Sequence, residues 1–318
     1  MKNNFRIVKS DNPKKPHQPQ SGATLIELLV GITIGLLTIA VAMGALILSR
    51  GISGTVSDTS HMQQQASYAF RVIGQQLRQA GSMQLNLAVN KTAIETITAE
   101  DLVAFSPDSE IYPAFSSTPP NTPAVSGKDT PSSGEYKISV AYQNYQEAIF
   151  PIGSKKSLFR DCLGAQPSTT IIQSQFVLDT AKGELKCAGS EKPPNPQAII
   201  KNVADFQVRY LVQSKTAAAT GIPTIQYVNA ADVSAHPVDA SKTDWGTVFA
   251  VEVCLVLHGE ERVDMPNGST YVGCDADIDG KGVKVDMSST GALPATRKNR
   301  LHMAFRSAYQ LRSQGRTS

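Results

Sequence analysis

Residues 22–49 read GATLIELLVGITIGLLTIAVAMGALILS. From Ala23 onward this stretch holds one charge, Glu27, and no proline. At about 1.5 Å rise per residue the segment is long enough to cross a hydrocarbon core of ~30 Å. Residues 1–22 are polar and carry Lys2, Arg6, Lys9, Lys14 and Lys15 against the single Asp11. Basic residues ahead of an apolar helix stay on the cytoplasmic side. The pattern therefore predicts export of residues 50–318.

Three ordinary readings compete for the apolar stretch. A plain single-pass anchor fits the length but gives Glu27 no role. A cleaved secretory signal could use the small-x-small triplet Ala40-Val41-Ala42. The apolar run, however, continues to Leu48. A buried core helix is the third, and the length argues against it.

Glu27 discriminates among them. A carboxylate inside a membrane helix costs roughly 2.5–3.5 kcal/mol at the centre and less near the end, and such groups normally have a partner. Cleavage between Gly22 and Ala23 would supply one. Ala23 would gain an α-amino group, Glu27 would become the fifth residue, and ammonium and carboxylate could pair between neighbouring subunits of a helical bundle. The sequence SGATLIELLVG resembles the class III signal of type IV pilins and pseudopilins in its glycine before the cut, its glutamate at the fifth position and its unbroken apolar run. It departs from most of them in having Ala23 in place of phenylalanine.

The bulk properties agree with an exported chain. Its 318 residues allow one good-sized domain or two small ones, and the net charge of +3 gives no indication of a nucleic-acid partner. Four cysteines, Cys162, Cys187, Cys254 and Cys274, form an even set. Outside the cytoplasm an even set points to disulfides.

Downstream the pattern predicts an α+β chain. Gly51 and Gly54 interrupt the helix-forming pattern, and a kink or local melting is expected there. Ala66, Ala69, Phe70, Ile73, Leu77 and Ala80 then recur at helical spacing, with Gly81 as the stop. Residues 136–142, 203–212 and 248–257 read as strands, the last as a central one. Residues 106–134 and 189–197 read as loops and 214–244 as an insertion. The expected organisation is a cleaved leader (1–22), a membrane and assembly helix (23–49), an amphipathic helix (50–82) and a β-rich exported head (83–318). The fold class is type IV pilin-like, with one long N-terminal helix packed on an antiparallel sheet.

The resemblance extends past the signal. The segments TLIELLVGITIGLL, EYKISVAYQ, DCLG, GELKC, VADFQVRYLV, VFAVEVCLVL and RLHMAFRSAYQLR occur in the order found in the PilW family of minor pilins. That resemblance implies a low-abundance subunit that joins other minor pilins and the major pilin, helps initiate the pilus and sits at its tip. It also implies maturation by a prepilin peptidase, N-methylation and handling by an inner-membrane assembly platform. A minor pseudopilin of type II secretion, and a membrane-anchored binding protein or enzyme, are the alternatives.

Order along the chain favours sequential pairing, Cys162 with Cys187 and Cys254 with Cys274, although four cysteines allow three connectivities. Each such loop of about 20–25 residues would contribute ~3 kcal/mol. Asp275, Asp277, Asp279 and Asp286 fall at positions 1, 3, 5 and 12 of a calcium-type loop, with Gly280 at 6. The competing reading is a solvated hairpin turn on Asp279-Gly280. No phosphate-binding, metalloprotease or serine-hydrolase motif is present, so catalysis is not expected.

Overall fold

A computed structural model describes residues 22, 24–83, 85–86, 104–105, 111–112, 122–148, 155–190, 194–214, 224–235, 244–276 and 282–311. The chain divides into two compact units, Met1–Ile52 and Ser53–Ser318.

The principal helix, α1, runs Leu25–Gln79. Thr24 opens it: the Glu27 N–H reaches the Thr24 carbonyl at 3.0 Å and its Oγ1 at 3.4 Å. The order Thr24-x-x-Glu27 is a capping-box sequence. Helical hydrogen bonding continues through Gly51 and Gly54, where local melting was expected. Glycine keeps its N–H and so loses no bond from the ladder; its cost of about 1 kcal/mol is entropic and local. The helix ends where the sequence says it should. Gly81 takes φ 68°, and its N–H donates to the Ala141 carbonyl at 2.9 Å.

In the second unit, α1 buries Met62, Ala66, Ala69, Ile73, Leu77 and Ala80. Spacings of three and four residues put them on one face. That face meets two antiparallel sheets. The first contains β1 (Val125–Gly127), β2 (Ile138–Gln143), β3 (Ile171–Asp179), β4 (Glu184–Ala188) and β5 (Gln197–Ile200), in the order β5-β4-β3-β2-β1. The second contains β6 (Val203–Ser214), β7 (Thr224–Val228), β8 (Val248–His258) and, last in sequence, β11 (His302–Gln310), in the order β7-β6-β8-β11. Between β8 and β11 lies a separate hairpin, β9 (Thr270–Ala276) with β10 (Gly282–Asp286).

The 248–257 run is central, as its nearly continuous apolar character predicts. Its odd residues Val251, Val253, Leu255 and Leu257 join Phe206, Val208 and Tyr210 in the main core. Its even residues Cys254 and Val256 face the other way and pack with Cys274 and Tyr271 of the hairpin. A strand covered on both faces has no solvent side to alternate with.

Two expected loops contain structure. Val125 is fully buried in an edge strand inside the 106–134 stretch. The strand is only three residues long and follows Pro123, a residue that an edge tolerates. The 214–244 insertion supplies β7, which pairs with the end of β6, and a short helix Ala230–Ala235. Asp129 holds the start of that helix through the Ala230 and Ala231 N–H groups.

Candidate assembly site

The residues that the sequence assigns to processing and assembly lie at the start of α1. Gly22 is exposed, and a Cβ added there meets nothing within 4 Å. Ala23 lies outside the described residues. Glu27 stands in the first turn with its side chain exposed, and no ion pair to it forms among the described residues. From Leu25 to Ile47 the helix has a mean hydropathy of 2.4, and none of its residues is buried within the chain. An exposed apolar helix of this length is compatible with membrane anchoring.

This segment has a sidedness that the sequence reading missed. At 100° per residue, Glu27, Gly31, Gly35, Thr38, Ala42 and Ala45 share one stripe. Leu, Ile, Val and Met residues occupy most of the remainder, with Thr33, Ala40 and Gly44 on the opposite side. Small residues at four-residue spacing let a second helix approach closely in lipid. The Gly31-x-x-x-Gly35 spacing was the signal for it. Added Cβ atoms at either glycine meet nothing within this chain.

Where α1 meets the head, polar contacts fix its position. Gln76 is buried within the apolar face. Its Oε1 accepts from Ser174 Oγ at 3.0 Å, and its Nε2 donates to the Arg160 carbonyl at 3.3 Å. The Tyr142 hydroxyl, 2.8 Å from both Gln76 Oε1 and the Arg160 carbonyl, donates within the same cluster, and burial pushes its pKa up. Asp58 Oδ2 accepts the Glu261 N–H at 3.0 Å, and Glu261 in turn lies where a side chain on Gly54 would project. Gln65 Oε1 accepts from Lys201 N at 3.2 Å.

The four cysteines form two bridges, Cys162–Cys187 and Cys254–Cys274. The first joins the loop before β3 to β4. The second fastens the β9–β10 hairpin to the outer face of β8. Arg306, opposite Cys254 on β11, helps by donating to the Gly273 and Cys274 carbonyls at 2.8 and 3.2 Å.

Of the calcium-type loop, Asp277 and Asp279 lie outside the described residues. Asp275 ends β9. Asp286 turns to its own neighbours: Oδ1 accepts from Ser288 N at 2.8 Å and Ser288 Oγ at 2.6 Å, and Oδ2 from Thr290 Oγ1 at 3.2 Å. Those bonds hold its carboxyl below the usual range. Among the described residues no three His, Cys, Asp or Glu side chains converge as metal ligands do.

The second sheet carries a half-buried charge that the sequence did not flag. Asp205 on β6 is driven up in pKa by burial, and further by the Asp275 carboxylate. Lys137 lies nearby; its ammonium donates to Gln207 Oε1 at 2.8 Å and to the Asp129 carbonyl.

Over residues 174–313, from β3 to the end of β11, the chain matches the family model of PilW, the type IV pilus-assembly protein W. The match spans β4, the central β8 and the hairpin fastened to it, and so includes Cys187, Cys254 and Cys274 but not Cys162. A type IV-like pilin, TTHA1219 from Thermus thermophilus, aligns with 80% of this chain and 100% of its own at 12% identity, with a TM-score of 0.33. No curated protein matches the sequence. The matched segment holds no part of α1, so the N-terminal helix and the matched head are independent observations about one chain.

Proposed function

We propose that this chain is a minor pilin that helps initiate a type IV pilus and occupies its tip. The observation that carries the reading is the pairing of a PilW-type head with an N-terminal helix whose apolar surface is wholly unpartnered and bears Glu27 in its first turn. Before assembly the chain sits in the inner membrane, head in the periplasm. A prepilin peptidase cuts after Gly22, and the new Ala23 terminus is N-methylated. The Ala23 ammonium then pairs with Glu27 of a neighbouring subunit, and the small-residue stripe beside Glu27 receives that neighbour's helix. The role is structural. A large head with inserted strands and loops suits an end position, because it is difficult to repeat along a closely packed filament.

The test is mass spectrometry of sheared pili with the N-terminus mapped. An N-terminus at methylated Ala23, recovered in trace amounts with other minor pilins, is the expected result. An N-terminus at Met43 refutes the reading in favour of a secretory signal. Recovery only with a type II secretion apparatus assigns the chain to that system. Gly22→Leu tests the cut itself. Among the described residues nothing opposes a side chain there, so a block in processing reports on the peptidase.

A further inference from the structure

His258 ends β8 and His302 begins β11, and the two residues are directly paired in register. Residues opposed in an antiparallel pair project from the same face with Cβ atoms about 4.5–5.5 Å apart. Here the imidazole centroids stand 5.7 Å apart. Each ring commits its Nδ1 to the main chain: His258 Nδ1 donates to the Gly259 carbonyl at 3.0 Å and His302 Nδ1 to the Arg300 carbonyl at 2.9 Å. A carbonyl can only accept, so the proton resides on Nδ1 and the lone pair on Nε2 in both rings. His302 is 3% exposed, and its Nε2 is buried without a hydrogen-bond partner. Tyr271 stacks on the His302 ring at 4.8 Å and fixes its plane.

We propose that His258 and His302 form a two-imidazole site for a divalent transition-metal ion of the zinc class. The ion would take an Nε2 from each ring and fill its remaining positions with water. Histidine ligands characteristically anchor the other ring nitrogen on a carbonyl or carboxylate, the arrangement seen at both residues. Two imidazoles sharing one ion through bonds of about 2.0–2.1 Å stand with their centroids roughly 5–6 Å apart, which the observed separation satisfies. An unpartnered acceptor buried in a strand pair is also costly, and a bound cation satisfies it. The guanidinium groups of Arg297 and Arg300 oppose a cation, and Asp58 favours it. Arg297 donates to the Ala204 carbonyl at 2.9 Å; Arg300 donates at 3.1 Å to the Gly259 carbonyl, the same oxygen that anchors His258 Nδ1, so its charge stands beside the site and limits the affinity. A bound ion would clamp the end of β8 to β11 beside the 259–261 loop that meets Asp58 of α1.

The experiment titrates the full-length protein in detergent with zinc ions alone, followed by calorimetry and thermal melting. One ion per chain and a raised melting temperature are expected. His258→Gln and His302→Gln should each abolish saturable binding and the thermal gain. His61→Gln, on an exposed face of α1, should keep both. Absence of saturable binding in the wild type overturns the proposal, as does wild-type binding by His258→Gln or its loss in His61→Gln. If His302→Gln fails to fold, the partly exposed His258 decides the matter.

Discussion

The ring of Tyr309 occupies the space that a side chain on Gly74 would need. A Cβ built on Gly74 falls 2.3 Å from Tyr309 Cε1, and the Tyr309 hydroxyl donates to the Phe70 carbonyl of the same helix at 2.9 Å. Strand β11 is thereby locked onto α1 one turn beyond the middle of its buried face. Arg78 lies over the other part of the ring, 5.9 Å from its centroid.

Gly74→Ala should therefore destabilise the head. The methyl group gains about 1 kcal/mol of helix propensity, but overpacking a filled site costs about 1–3 kcal/mol. Thermal unfolding of the purified chain should show a lower midpoint. Gly31→Ala, where an added Cβ meets nothing, should leave the midpoint unchanged. Equal midpoints for Gly74→Ala and wild type would show that Tyr309 can move aside.

Replacing Cys254 and Cys274 together by alanine should cost about 3 kcal/mol for a loop of this length. The loss should appear first at the β9–β10 hairpin, because Arg306 and the Tyr271 stack are its other attachments to the sheet. Amide hydrogen exchange is the measurement. Uniformly faster exchange across both sheets, with no excess at residues 270–286, would contradict this.

Asp205 makes stability depend on pH. Its folded-state pKa lies above the ordinary aspartate value, first through burial and then through Asp275. An acid raised in this way costs stability when ionised, and the cost is relieved as pH falls through the raised pKa. Asp205→Asn keeps an acceptor for Gln207 Nε2, now 3.0 Å away, and removes the charge. The variant should melt higher than wild type at pH 7, and the difference should shrink toward pH ~4, where aspartate protonates in the unfolded chain. A difference that stays constant over that range would mean the effect is steric.

Glu27→Ala should enter pili poorly while the head melts as in wild type. Among the described residues Glu27 bonds to Thr24 of its own first turn. A stable, membrane-inserted variant that is depleted from sheared pili is the expected outcome. Wild-type incorporation would remove the role in subunit pairing.

Much of this architecture is legible in the residues. The apolar run, the buried face of α1, the stop at Gly81 and the three long strands follow from periodicity and glycine placement. What is not legible has physical causes. Gly51 and Gly54 read as breaks because propensity counts the entropic cost of glycine and cannot see that its N–H still serves the ladder. Val125–Gly127 and Thr224–Val228 are too short to show a period, and tertiary pairing alone makes them strands. His258 and His302 are separated by the whole hairpin, so their direct opposition exists only once register is set. Gly74 carries no local mark, since the need for it comes from Tyr309, far along the chain. Gln76 sits at a position that any binary pattern would assign to an apolar residue.

Gln76 has a mechanical consequence. An apolar helix face alone would tolerate sliding, because Ala, Ile and Leu can exchange pockets at small cost. Moving α1 by one turn, about 5.4 Å, would carry Gln76 away from Ser174, Tyr142 and the Arg160 carbonyl and leave its amide dry and unbonded. The helix is in this sense indexed to the head like a key with one polar tooth. Axial load applied along α1 would be resisted at that tooth before the surrounding hydrocarbon contacts yield, so force would reach the first sheet through β2 and β3.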